Sequence, residues 1–128
     1  MSLDIDLEGV KTEVVRFYEG NITHNLTKMA DEAGLYEALW RPYKLKSNYT
    51  IFENKDLEYQ FEKDNPVFAK EIIEKLVLGL LKLKSEPEYF KKFNPENGWG
   101  TYEGLVTFVE NYLKACGENP EAIIKISR

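Results

Sequence analysis

The chain predicts an α+β fold: a helix-dominated single domain with a small sheet that includes N-terminal and C-terminal strands. Three observations carry this expectation. Apolar residues recur at the helical period over 26–33, 68–83 and 105–116. β-rich composition without that period marks residues 12–19 and Ala122-Ile-Ile-Lys-Ile126. At 128 residues, with 43% apolar and 30% charged side chains, the chain is one domain by size and long enough for a core without metal or disulfide staples.

Residues 1–9 are polar and acidic and read as a loose start. Val14, Val15, Phe17 and Tyr18 then predict a strand at 12–19, broken by Gly20-Asn21, with a short helix as the competing reading. Thr23 or Asn25 offers a side-chain oxygen to cap the next helix, whose inward face is Leu26, Met29, Ala30 and Ala33. Gly34 suits the left-handed residue that ends it, and a short helical piece over 35–40 stops as Pro42 restricts Arg41. Over 43–64, Tyr49-Thr-Ile-Phe52 and the alternating Leu57, Tyr59 and Phe61 predict a hairpin turning at Asn54-Lys55-Asp56. The competing reading is a long loop laid over the core by its aromatics.

Asp64-Asn65-Pro66 has the chemistry of a helix start, and the apolar period then runs to about residue 84, a helix about 28 Å long. Ser85-Glu-Pro-Glu predicts a short helix to about Phe93. Thr101 caps a helix through Leu105, Val106, Phe108, Val109, Tyr112, Leu113 and Cys116 to Gly117, and Asn119-Pro120 turns into the final strand. The simplest burial for that strand is beside the one near residue 15, beneath the long helix.

The formal charge of −5 arises within residues 1–40, where eight acids face three bases; the remainder balances at fourteen of each. Without a basic face to displace counterions, nucleic acid is disfavoured as a partner. The longest apolar run, Leu76 to Leu81, is too short to span a bilayer, so no membrane association is expected. One cysteine, Cys116, excludes an internal disulfide and fits a reducing, cytoplasmic setting.

The candidate site centres on Asn21-Ile-Thr-His-Asn25 at a strand-to-helix junction. His24, the only histidine, is the default acid or base near neutral pH and the candidate catalytic residue. Asn21, Thr23 and Asn25 can donate or accept hydrogen bonds to a polar ligand, though capping and turn-making use the same residue types. Arg41 can fork two hydrogen bonds onto a carboxylate or phosphate. Trp99, between Gly98 and Gly100 and ahead of Tyr102, sits where backbone can approach a ligand and an indole can cover it. Spacing gives neither a zinc pattern nor a nucleotide-binding glycine pattern, so no metal and no cofactor is expected.

Two segments, Asn21-Ile-Thr-His-Asn-Leu26 with Leu39-Trp-Arg-Pro42 and Gly98-Trp-Gly-Thr-Tyr-Glu-Gly104, together with Asn119-Pro120, Ala122-Ile-Ile and Ser127-Arg128, resemble a family of small uncharacterised bacterial and phage-borne proteins. The resemblance covers both ends of the chain and leaves 43–64 thin. It implies a single intact domain and carries over no functional residues. The residues themselves favour a non-catalytic binding module for a small polar molecule or peptide segment, in a pocket of the 21–25 junction, Arg41 and the Trp99 loop. A small enzyme using His24 is the second reading, and an adaptor acting through an aromatic surface or a homodimer face is the third.

Overall fold

The computed structural model describes residues 2–9 and 16–128. Its architecture is a three-stranded antiparallel sheet, order β2-β1-β3, packed on one face by helices. The strands are β1 (Ser2–Glu8), β2 (Arg16–Thr23) and β3 (Ile123–Ser127). The helices are α1 (Thr27–Glu32), α2 (Tyr36–Trp40), α3 (Lys55–Asp64), α4 (Ile73–Ser85), α5 (Pro87–Lys91) and α6 (Tyr102–Glu118). Short 3-10 turns at His24–Leu26, Pro42–Leu45 and Ala69–Glu71 join them. Of the strand expected at 12–19, residues 12–15 lie outside the described residues and 16–19 open β2.

The stretch read as loose is the central strand. Leu3, Ile5 and Leu7 alternate with Asp4, Asp6 and Glu8, so one face of β1 is apolar and the other acidic. The three apolar side chains are completely buried, each worth roughly 1.5–3 kcal/mol relative to exposure. Ile5 lies between Gly20 and Ile126, and Leu7 between Tyr18 and Ile124. The Tyr18 ring folds back over the space a side chain at Gly20 would take, its hydroxyl 2.6 Å from that β-carbon position, and stacks on Tyr112 of α6 at 5.8 Å. On the solvent face Asn21 Nδ2 donates to Asp4 at 2.6 Å, and Arg16 lies 3.6 Å from Asp6. The final strand therefore pairs with β1, not with the strand near residue 15 as expected; β1 stands between them.

Residues 26–34 agree with the expectation. Leu26, Met29, Ala30 and Ala33 are buried, and Gly34 turns the chain at φ 75°. The segment 43–64 does not form a hairpin. Asn54 caps a helix instead: its Oδ1 accepts the Leu57 amide at 3.0 Å, and Asp56 and Glu58 complement the first turn's positive dipole end. The loop before it is laid down by its aromatics, with Tyr43, Tyr49, Phe52 and Phe61 in ring contact at 5.3–6.4 Å.

Asp64-Asn65-Pro66 stops a helix where a start was expected. Asn65 Nδ2 donates to the Phe61 carbonyl, and the next residues extend along the outer edge of β3. Val67 accepts from the Ile124 amide at 2.9 Å, and the Ala69 amide donates to Ala122 at 2.8 Å. Edge pairing thus takes the backbone groups a helix would have used, and α4 begins only at Ile73, with 13 residues and about 20 Å of length. Ser85 belongs to the end of α4, its hydroxyl donating to the Lys82 carbonyl, so Glu86 and not Ser85 precedes α5. Thr101 caps α6 as expected, accepting from the Gly104 amide at 2.9 Å.

α4 faces the core through Leu76, Gly79 and Leu83. Gly79 is where Leu35, in the turn between α1 and α2, comes down on the helix: a β-carbon there would lie 2.2 Å from Leu35 Cδ2. Ala in place of a helical Gly ordinarily gains about 1 kcal/mol. Here Gly79→Ala is expected to lose about 1–3 kcal/mol through overpacking, and Leu35→Ala in the same chain to remove that penalty. Leu76→Ala is expected to cost roughly 2–5 kcal/mol, more than the same change at half-buried Leu80. Urea denaturation of the single and double variants measures all four.

Candidate functional site

The junction at 21–25 and the Trp99 loop meet. A side chain at Gly100 would strike Thr23 Cγ2 at 2.8 Å and Leu26 Cγ at 2.9 Å, so bare backbone is what lets the loop lie against the junction. The loop is fastened at both ends. Asn94 Oδ1 accepts the Tyr102 amide at 2.8 Å, and Asn97 Oδ1 accepts the Trp99 amide at 2.9 Å. Gly98 and Gly100 carry the positive φ values, 77° and 112°, that such a course requires. Trp99 itself stands out into solvent, 71% exposed.

Most of the polar groups at the junction are engaged locally. Asn21 binds Ser2 and Asp4 across the sheet. Thr23 Oγ1 accepts from the amide and the side chain of Asn25, capping the 3-10 turn. Tyr102 is buried, its hydroxyl donating to the Leu83 carbonyl at 2.7 Å, and so it ties α6 to α4. The His24 ring meets Trp40 edge-on at 6.1 Å, and its Nε2 is buried without a hydrogen-bond partner among the described residues.

Arg41 points elsewhere. Its guanidinium donates to the Tyr43 hydroxyl at 3.1 Å, and that hydroxyl donates to the Glu58 carboxylate. Both Arg41 and Tyr43 line a depression of about 400 Å³ with Lys44, Lys55, Glu58, Tyr59, Glu62 and Arg128. A second depression of about 370 Å³ adjoins it, sharing Tyr43, Tyr59, Glu62 and Arg128 and running on along β3. Of the residues singled out in the sequence, Arg41 alone lines this groove; the junction and the Trp99 loop contribute none of its walls.

The groove is built on α3. Glu58 and Glu62, one turn apart on that helix, face two arginines delivered from distant parts of the chain. Arg128 forks onto Glu62 at 2.7 and 2.9 Å and donates again to the Trp40 carbonyl at 2.9 Å. Arg41 reaches Glu58 through Tyr43. The Tyr43 hydroxyl holds the Glu58 carboxyl below its usual range. Burial, and then the bond to Glu58, push Tyr43 up to about 12. Among the described residues four cations and two carboxylates line the depression around Arg41, an excess of positive charge in an acidic protein. Lys55, Glu58, Tyr59 and Glu62 are missed by the sequence reading because a hairpin over 43–64 hides the helical spacing that aligns them, and Arg128 because it reaches the groove only through the pairing of β3.

Tyr43 makes this site measurable through pH. A raised folded-state value means that the fold favours the neutral phenol, so its contribution is fully present below about pH 10 and is lost as pH climbs through about 12. Buried Tyr112 and Cys116 add to the same alkaline loss, since burial raises both. Tyr43→Phe is expected to cost about 1–3 kcal/mol near neutrality, because Arg41 and Glu58 lose their common partner. The variant's loss of stability from about pH 10 to 12 should be shallower than the parent's, in urea titrations at each pH. Compared with protein-family models, with curated proteins and with solved structures, the chain finds no match.

Proposed function

We propose that the protein is a non-catalytic binding module whose ligand is a small molecule bearing a carboxylate or phosphate, seated in the α3 groove. One observation carries this reading: among the described residues Arg41, Lys44, Lys55 and Arg128 converge with two carboxylates on one depression, in a chain of net charge −5. The two adjoining hollows, about 370 and 400 Å³, are of the size that encloses small ligands. Arg41 and Arg128 are held by Tyr43, Glu62 and the Trp40 carbonyl, so their donors are oriented before any ligand arrives. Lys55 and Lys44 add positive charge at the rim. Tyr59, 58% exposed, offers a ring for the apolar part of a ligand. The ligand's anionic group would compete with Glu58 and Glu62 for donors already in place, which suits moderate, reversible binding.

Titration of 15N-labelled protein with inorganic phosphate, citrate and a neutral sugar tests this. Saturable shifts confined to the α3 groove are expected for the anions and none for the sugar. Arg41→Ala and Lys55→Ala should each weaken anion binding by about tenfold, the size of one lost charge-assisted hydrogen bond. Uniform, unsaturable shifts scattered over the surface would overturn the reading.

A further inference from the structure

We propose that the outward face of α4 is a homodimer interface, in which α4 packs antiparallel against α4 of a second copy about a two-fold axis through Leu78. Most surface helices are apolar on one side and polar on the other. α4 is apolar on both. Opposite its buried stripe of Leu76, Gly79 and Leu83, the residues Val77, Leu78 and Leu81 stand 38%, 54% and 61% exposed. Leu80 of α4 and Val106 and Leu113 of α6 are half-buried against the core, and the Lys84–Glu110 ion pair at 2.6 Å joins the two helices. No lysine or glutamate interrupts the three central side chains.

The charges at the ends of this stripe identify the occupant. Glu74 lies one turn before Leu78 and Lys82 one turn after it, both exposed and on the same helical row. Among the described residues neither enters an ion pair. A two-fold axis through Leu78 stacks that leucine on its own copy and sets Glu74 against the partner's Lys82. The same operation sets Lys82 against the partner's Glu74. A parallel arrangement would oppose like charges at both ends. The surface is thus complementary to itself in one orientation, the condition for an isologous interface. Val77 and Leu81 form the neighbouring row and fill the space beside the Leu78 contact.

Sedimentation velocity on the full chain, from low to high micromolar concentration, tests the proposal. The parent is expected to sediment as a dimer at the upper end and to dissociate on dilution. Leu81→Glu should give a monomer whose circular dichroism and melting at low concentration match the parent's, because the side chain is exposed. Glu74→Lys and Lys82→Glu should each raise the dimer dissociation constant by about tenfold or more, since symmetry counts each repulsion twice. The double variant E74K/K82E restores opposite charges across the axis and should dimerise like the parent. A parent that is monomeric at every concentration overturns the proposal and leaves the face to a different protein. A dimer that survives Leu81→Glu, or a double variant no better than the single ones, overturns it as well.

Discussion

The fold depends on the alternation of Leu3, Ile5 and Leu7 with Asp4, Asp6 and Glu8. A strand with one apolar and one acidic face can be buried on one side only, and here that side meets the helices while the acids face water. Because β1 is the middle strand, β2 and β3 have no direct contact in the sheet and are aligned only through it. Its register fixes the positions of groups well beyond the sheet. Gly20 falls opposite Ile5, leaving room for Tyr18 to fold back and stack on Tyr112, which anchors α6 over the sheet. Arg128, just past β3, is brought to the carbonyl of Trp40 and to Glu62, so the α3 groove is closed by a residue whose position depends on β1.

α4 is constrained from its other side. Gly79 lets Leu35 settle onto the helix, and this close approach brings the α1–α2 turn into the core. The helix is short and its core face narrow, yet seven of its 13 residues are large and apolar. The apolar side chains that do not fit the narrow face are left pointing outward as Val77, Leu78 and Leu81. Aromatic rings solve a similar problem over 43–61, where Tyr43, Tyr49 and Phe52 pack with Phe61 of α3, a helix with none of its own residues fully buried.

The helices with clear caps and one apolar stripe were legible in the sequence: Thr101 with α6, Gly34 after α1, and the class of fold. β1 is legible in principle too, since strict alternation over six residues is a strand signal, but its high acid content also fits a solvated terminus. The departures at Asn54 and at Asn65 share a cause. Asparagine beside lysine, aspartate or proline serves hairpin turns, helix starts and helix stops alike, and only tertiary pairing selects among them. At Asn65 the selection is made by the edge of β3, about 60 residues later in the chain, which no local pattern encodes. The groove was invisible for the same reason: Arg41 and Arg128 come together by topology, and Glu58 with Glu62 only once α3 is known to be helical. The junction at 21–25 and the loop at 98–100 did come together, and the glycines that signalled a close approach mark the contact.

The central position of β1 has a consequence for how the chain is made. β1 leaves the ribosome long before β3, with 115 positions from Glu8 to Ile123. At ~5–20 residues per second that separation lasts on the order of ten seconds. During this interval β1 can pair with β2 on one edge, but its other edge, backed by Leu3, Ile5 and Leu7, has no partner within its own chain. An open apolar edge is the kind of surface that recruits strands from neighbouring nascent chains. Asp4, Asp6 and Glu8 line the opposite face of that strand, and charged side chains on a strand are among the features that discourage such edge-to-edge pairing.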